Sequence, residues 1–428
     1  MEILEDLLSA MRETCAGLPD KRRGRNVRYA MADIGLAAFS VFFMQSPSFL
    51  AYQRSLEERH SRSNCQTLFG MSAIPTDNHI RQMLDGAPPS HFDGLFEQVV
   101  ARAEAQGRLQ AFRRLDGHVL IALDGTEYFT SRKLHCPQCS QRRRSDGGVE
   151  YFHGFLGATL VAPGHAHILP LAPEFVVPQD GHEKQDCESR AVRRWLAARG
   201  PRYAPLKPIY LGDDLFACQP ICAAVKAVSG HFLFTCKPQS HPTIREYLTG
   251  VELPERRAIV RRGRDRSVHR YRWLADVPIR DGADAMTVNW LEIEITNAKG
   301  KLTYRNSFIT DLPVDRDNVA ELAACGRARW KIENESFNVL KNNGYNLEHN
   351  FGHGKATLSA VLVVLNLLAF ALHHLCELVD GPWRDAVAGL GARRRIFEHL
   401  RSATAHIVFP SWNAFLRAMI GLPPPIPP

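Results

Sequence analysis

His118-Val-Leu-Ile-Ala-Leu-Asp-Gly-Thr126 is an apolar run that stops on an acid followed by a glycine. A short apolar run bounded by turn signals reads as a buried strand, so His118 to Leu123 is expected as a strand ending on Asp124. The same pattern returns on the C-terminal side. Tyr151 to Val161, His167 to Leu171, Pro208 to Leu211 and His231 to Cys236 read as further strands. Between them, Asp186 to Ala198 has helical spacing, with Ala191, Trp195 and Leu196 apolar, and Phe216 to Val228 reads as a helix. Strands alternating with helices imply an α/β class, a sheet covered by helices.

The flanks differ. To about Leu115 the chain reads as mainly helical. Met31 to Phe43 is strongly apolar, Gln45-Ser-Pro-Ser48 breaks the pattern, and Phe49 to Leu56 resumes it. Phe92, Leu95, Phe96, Val99, Val100 and Ala103 make one helix face, which is core packing. Between Pro242 and Arg305 the period changes to alternation, in Tyr271 to Val277 and Val288 to Ile295, with Asn297-Ala-Lys-Gly300 as a turn. From Asp317 the chain is helical again, and Pro423 to Pro428 reads as a frayed tail. Leu358 to Leu375 approaches the length of a membrane span. Ser359, Asn366, His373 and His374 interrupt it, and a span needs roughly 20 apolar residues, so a buried core helix is expected and no membrane.

At 428 residues the chain suggests two or three domains. The apolar fraction is 45% and the charged fraction 23%, ordinary for a globular protein. Lys plus Arg exceed Asp plus Glu by 53 to 45, a formal charge of +8, which favours a polyanionic partner. Met1 to Leu8 is acidic and lacks the basic start of a signal peptide. A cytoplasmic setting is therefore expected, with the ten Cys as free thiols.

Three acids stand out by context: Asp124, Asp213 in Ile-Tyr-Leu-Gly-Asp-Asp214, and Glu333 in Arg329-Trp-Lys-Ile-Glu333. Carboxylates at the C-terminal ends of strands sit at the sheet edge where α/β folds bind ligands. Three of them can hold two Mg²⁺ ions for phosphodiester chemistry. Taken singly, each is also an ordinary turn or cap residue. Arg329, Glu333, Phe337 and Lys341 recur every fourth residue and share a helix face.

Asp124-Gly-Thr126, Tyr-Leu-Gly-Asp213 and Arg329-Trp-Lys-Ile-Glu333 with Lys341 resemble the DDE-type insertion-sequence transposases, in the branch with a Tyr-Arg-Glu-Lys signature. The resemblance covers roughly Leu120 to Leu372. It implies an RNase H-like catalytic core (a mixed sheet flanked by helices), a β-rich insertion between the second and third acids, and cut-and-paste DNA chemistry. Asp124, Asp213 and Glu333 would be catalytic and hold two Mg²⁺ (or Mn²⁺) ions. Arg329 and Lys341 would hold DNA phosphates, the Arg by its fork and the Lys as a point charge. Thr126 would bond near the first acid or cap a turn. The expected organisation is 1–115, a helical DNA-binding region; 116–241, the first half of the core; 242–304, the insertion; 305–385, the second half; and 386–428, a helical tail. The partner is double-stranded DNA, at the element ends and the target, with a homodimer in the complex.

The chain departs from the pattern in two places. Gly326 stands where the pattern has Tyr, and the gap from Glu333 to Lys341 is one residue longer. Glu335 is thus a rival for Glu333, and Asp214 for Asp213, although Phe216 favours Asp213 as the acid with an aromatic three residues on. A nuclease that does not rejoin DNA, and an inactive DNA-binding remnant, are the alternative functions.

Cys136 and Cys139 form a CxxC beside His135, in a loop with Arg142, Arg143 and Arg144. A structural Zn²⁺ there needs further ligands such as His153 or Cys187; free thiols are the alternative. His349 and His353 are not expected as ligands, because a hard-metal site prefers oxygen. Arg256 to Arg272 contains eight Arg, among them Arg261, Arg262 and Arg264, interleaved with Tyr271. Such a stripe suits DNA phosphates, with a solvated hairpin face as the bland reading. Lys21, Arg22, Arg23, Arg25 and Arg28 are a second basic group that either touches phosphates or is a solvated loop.

Overall fold

The chain begins with helices whose apolar spacing fixes how they pack. The computed structural model describes residues 3–23, 27–52, 59–178, 186–263, 265–391 and 393–421; the side chains of 59–62, 262 and 393 lie outside it. Arg25, Arg264 and Pro423 to Pro428 therefore lie outside the described residues, as do the end of the Phe49 to Leu56 segment and the Arg262 side chain. α1 (Ile3–Ala16) buries Leu4, Leu7, Leu8, Met11 and Cys15, the spacing of one helix face. α2 (Met31–Phe43) is buried all round, which is why it carries no polar face. α3 (Arg59–Phe69), α4 (Asp77–Leu84) and α5 (Asp93–Ala105) follow. α5 buries Leu95, Phe96, Val99, Val100 and Ala103, the stripe expected from its sequence.

The middle of the chain builds one mixed sheet. Its strands are β1 (Val119–Ser131), β2 (Ser140–Arg143), β3 (Val149–Val161), β4 (Leu169–Pro170) and β5 (Glu174–Val176), then β6 (Pro208–Gly212) and β7 (His231–Thr235). α6 (Glu188–Tyr203) precedes β6, and α7 (Gln219–Ala227) links β6 to β7. After α8 (Pro242–Leu248) come β8 (Glu255–Arg262), β9 (Asp265–Pro278), β10 (Thr287–Asn297) and β11 (Leu302–Thr310). The strand order is β2-β3-β1-β6-β7-β11-β10-β9-β8, with β4 and β5 also paired to β3. β1 is antiparallel to β3 but parallel to β6, and β6 is parallel to β7. β6 is wholly buried, an apolar run without alternation, as a parallel strand covered on both faces should be. The fold is thus α/β, a mixed sheet flanked by helices.

Two expectations need correcting. β1 does not end on Asp124. It runs on to Ser131, because Thr126, Tyr128, Phe129 and Thr130 are good strand formers and β3 continues to pair with them. Only the parallel partner β6 stops, at the Ala122–Leu211 pair. The alternating segment extends the same sheet, since β11 pairs antiparallel with β7 and continues it. The expected boundary between 304 and 305 falls inside β11, because the turn at Asn297 to Gly300 closes a β10–β11 hairpin that the boundary would cut.

The end of the chain returns to the helical region. α9 (Val319–Arg327), a π-helical segment (Ile332–Phe337) and α10 (Asn338–Asn342) lead to α11 (Leu358–Val379). α11 is the one described helix long and apolar enough to cross a membrane, and 89% of its apolar window is buried, against α2, α5 and β4. Its polar residues are used inside: Asn366 Nδ2 donates to the Tyr345 carbonyl (2.9 Å), and the Tyr345 hydroxyl meets His373 Nδ1 (2.7 Å). α12 (Gly381–Leu390) spans the expected boundary at 385, because Asp380 caps it through the Trp383 N–H. α13 (Arg393–His406) and α14 (Trp412–Met419) pack back on the first helices. Asn64 Nδ2 donates to Thr404 O and Ile407 O, and Trp412 Nε1 donates to Leu68 O.

Candidate active site

The site starts from the one place where β1 loses its parallel partner. Asp124 lies two residues past the last β1–β6 pair, and Asp213 is the residue after β6 ends. The backbone geometry of the two parallel strands therefore brings both acids to the same sheet edge. Asp213 Oδ1 accepts from the Leu215 N–H at 3.0 Å, which fixes its rotamer as a cap on the following turn.

Glu333 reaches this edge from a later element. Arg329 Nη1 donates to Asp124 Oδ2 at 3.2 Å, and Arg329 Nη2 is 2.7 Å from Glu333 Oε1. One guanidinium thus ties the third acid to the first. The segment that carries Glu333 is π-helical, a form that is rare and frequent at functional sites. It packs on β3 through Phe337. A Cβ on Gly157 would lie 2.7 Å from the Phe337 ring, and Gly157 is the residue opposite Asp124 in the β1–β3 register. A glycine there is what lets the Glu333 segment approach the strand. Gly326, where the resemblance leads one to expect Tyr, has its Cβ direction filled by Phe308 at 2.6 Å, so no larger side chain fits.

The rival acids have other partners. Glu335 takes both its oxygens to Lys331 Nζ (2.6 and 2.7 Å). Asp214 Oδ1 accepts from the Lys237 N–H (2.6 Å) and meets His241 Nε2 (3.1 Å). Glu335 thus makes an i,i+4 pair within its own segment, and Asp214 anchors the segment at Lys237 and His241.

A fourth carboxylate, Glu188, was not singled out from the sequence. It opens α6, and its Oε1 lies 2.1 Å from where a Gly125 Cβ would be, so it comes over the edge from the face opposite Asp124. The available signal was weak: an acid in the first turn of a helix is common for dipole reasons alone. Burial raises the Glu188 carboxyl, and Asp213 and Glu127 add to the rise. Asp124 is pushed up to about 7, foremost by burial. Arg329 opposes this, while Glu333, Asp213 and Glu188 add to it.

Next to Asp124 along β1, a cleft of about 960 Å³ is lined by Gly125, Thr126, Glu188, Leu215, Lys341 and Glu348, among others; of the four carboxylates only Glu188 lines it. Lys341 Nζ is paired with Glu348 Oε1 at 2.8 Å. Thr126 Oγ1 donates only weakly, to Glu127 O at 3.5 Å. Cys187 lies on the same cleft, away from the CxxC.

The basic stripe is largely used inside the protein. Arg270 and Arg272 pair with Glu255, Glu292 and Glu294, Arg257 pairs with Glu255, and Arg256 donates to Arg316 O and Asp317 O. Arg261 and Arg266 face each other at the exposed end of the β8–β9 hairpin. Of the N-terminal basic group, Lys21 donates to Asp85 O, and Arg22 to Asp20 and Tyr29 O.

A second cluster lies further along the β1–β3 pair. Cys136, Cys139, His153 and His353 bring their ligand atoms within 4.8 Å of one another. This set can hold one metal ion such as Zn²⁺. His353, which was not expected among metal ligands, stands in this set: the loop that bears it crosses to two thiols and an imidazole, a borderline-soft set rather than an oxygen site.

No family model matches the chain, and no curated protein is significantly similar to it in sequence.

Proposed function

We propose that the chain is a DNA transposase of the DDE type, cutting and joining phosphodiesters at insertion-sequence ends. The observation that carries this reading is the meeting of Asp124, Asp213 and Glu333, from three distant parts of the chain, at the open end of the parallel strands. The strand order β3-β1-β6-β7, antiparallel on one side of β1 and parallel on the other, supports an RNase H-like core.

The residues fit a pair of hard cations. The donors are all carboxylate oxygens, as Mg²⁺ and Mn²⁺ prefer. Burial raises the Asp124 carboxyl, Arg329 opposes the rise as the neighbouring cation, and the repulsion of Glu333 and Asp213 adds to it. Asp124, Asp213 and Glu333, with Glu188 beside them, would hold two Mg²⁺ ions. Such ions activate an attacking oxygen and stabilise the leaving oxygen of an in-line displacement.

The side chains do the rest by position. Asp124 would have to be ionised to hold a cation, and Arg329 beside it favours that form. Arg329 holds Asp124 and Glu333 in register and offers its remaining N–H groups to a phosphate. Lys341 leaves Glu348 for a backbone phosphate in the cleft. The exposed Arg261 end of the hairpin adds phosphate contacts that carry no sequence choice. Two element ends must meet before joining, so the working form is a homodimer on DNA.

The test is Mg²⁺-dependent cleavage of a supercoiled plasmid carrying the DNA that flanks this chain's own coding sequence. Specific cutting followed by joining of the freed 3′ ends supports a transposase. Cutting without joining makes it a nuclease, and binding without cutting a remnant.

A further inference from the structure

We propose that Cys136, Cys139, His153 and His353 hold a structural Zn²⁺ that clasps the loop after α10 (residues 343–357) onto the β1–β3 hairpin. The inference does not depend on the chemistry assigned to the acidic cleft.

The distances carry it. Zinc bonds to sulfur at about 2.3 Å and to nitrogen at about 2.0–2.1 Å. A tetrahedron with those bonds has edges of about 3.8 Å between sulfurs, 3.6 Å between sulfur and nitrogen and 3.3 Å between nitrogens. The two Sγ atoms are 3.9 Å apart. His153 Nε2 is 3.5 Å from Cys136 Sγ and 3.3 Å from Cys139 Sγ. His353 Nε2 is 3.5 Å from Cys139 Sγ and 3.2 Å from His153 Nε2. Five edges of one tetrahedron are thus present within a few tenths of an ångström. The sulfurs are too far apart for a disulfide, whose bond is about 2.05 Å.

The surroundings orient each ligand. His353 Nδ1 is 3.1 Å from the Gly354 carbonyl and His153 bonds the Gln138 backbone, so each ring turns Nε2 to the centre. Such outer contacts fix the tautomer of metal-binding imidazoles. The Cys136 N–H donates to Cys139 Sγ (3.4 Å), and the Cys139 N–H to Cys136 O (3.0 Å), a tight turn that aims both sulfurs the same way. Four protein ligands leave no open position, which makes the site structural rather than catalytic.

The connectivity gives it a task. The ligands come from the CxxC loop, from β3 and from a loop 200 residues beyond His153. That loop begins just after Lys341 and carries Glu348 into the acidic cleft. His153 is four residues along β3 from Gly157, the partner of Asp124, or about 13 Å at strand spacing. The ion would fix the loop at His353, and Asp85, accepting the N–H groups of Lys355 to Leu358, anchors the residues that follow directly.

The test uses the full chain purified without chelator. Expected are one zinc per chain by mass spectrometry, protection of Cys136 and Cys139 from alkylation until a chelator is added, and new protease cuts in 343–357 after chelation. Co²⁺ in place of zinc should give a tetrahedral, thiolate-bound visible spectrum. His353→Ala should weaken zinc binding on the order of 100-fold or more and expose the same loop. If the variant does not fold, the alkylation and cobalt measurements on the unaltered chain decide alone. No stoichiometric zinc after dialysis against Zn²⁺, with both thiols freely reactive, overturns the proposal; a His353→Ala chain with unchanged affinity and cobalt spectrum overturns the clasp.

Discussion

Arg329 donates to Asp124 across 205 residues of sequence, Nη1 to Oδ2 at 3.2 Å. Everything proposed for the cleft turns on this contact, because the same guanidinium reaches Glu333. A charge-assisted bond of this kind contributes about 1.5–3 kcal/mol. Arg329→Ala should therefore slow Mg²⁺-dependent cleavage about 10- to 100-fold. Arg329→Lys should recover only part, since an ammonium cannot hold two carboxylates in a fixed fork. Single-turnover rates measure both; full activity in the lysine variant would show that charge alone suffices.

Stability should depend on pH through Asp124. Its carboxyl is raised in the folded chain to about 7, so between the ordinary value and 7 the folded state binds more protons than the unfolded state. Stability is then highest at low pH from this group and is lost as pH rises from about 4 to about 7. The loss is on the order of 2–4 kcal/mol. Asp124→Asn should remove this slope and raise Tm at pH 8 in the absence of divalent ions. Mg²⁺ should raise Tm at pH 8 in the unaltered chain more than in the variant. Equal melting curves for the two chains across this range would contradict it.

Glu188→Gln removes a like charge from beside Asp124. The carboxyl of Asp124 should then titrate lower, by NMR of the labelled side chain, and Mn²⁺ affinity should fall if Glu188 helps to hold cations. A lower titration with unchanged Mn²⁺ binding would make Glu188 a neighbour and not a ligand.

Gly157→Ala places a methyl 2.7 Å from the Phe337 ring. Overpacking of this kind costs about 1–3 kcal/mol, and here it also displaces Glu333. Activity should fall further than Tm suggests, and Phe337→Leu in the same chain should restore part of both. Denaturant melts with matched cleavage rates separate the two effects.

Asp85→Ala removes the carboxylate that collects the N–H groups of Ala356, Thr357 and Leu358 where the chain enters α11. Loss of such a cap costs about 1–2 kcal/mol. The Asp85 carboxyl is held low in spite of burial, because four backbone N–H groups outweigh it. Its contribution is thus present above the ordinary carboxylate range and lost as pH falls. Asp85→Asn should keep part of it, with a flatter acid limb in the melting curve.

What the sequence displayed was local. Apolar runs located β3, β6 and β7, and the stripe on α5 located its buried face, because burial leaves a period in the chain. Asp213 was legible because β6 stops beside it. The extension of β1 past Asp124 was hidden by Gly125, which read as a turn but sits in a strand because Glu188 occupies the space a Cβ would need. Glu188 itself gave no local sign of its neighbours. His353 was hidden for the same reason: its partners lie 200 or more residues away, and pairing at that distance is a property of the fold. The arginines of β9 looked like a surface for phosphates until the facing strand supplied Glu292 and Glu294.

The most direct measurement is Mg²⁺-dependent cleavage of the flanking-DNA plasmid by the unaltered chain and five folded variants. The account predicts cutting by the unaltered chain, by Glu335→Gln and by Asp214→Asn, and loss of at least about 10³-fold in Asp124→Asn, Asp213→Asn and Glu333→Gln, as expected for removal of a group that holds the cations. Cutting by Glu333→Gln at an undiminished rate, with Glu335→Gln silent, would contradict the site as drawn; no cutting by the unaltered chain while it binds the DNA would contradict the enzyme.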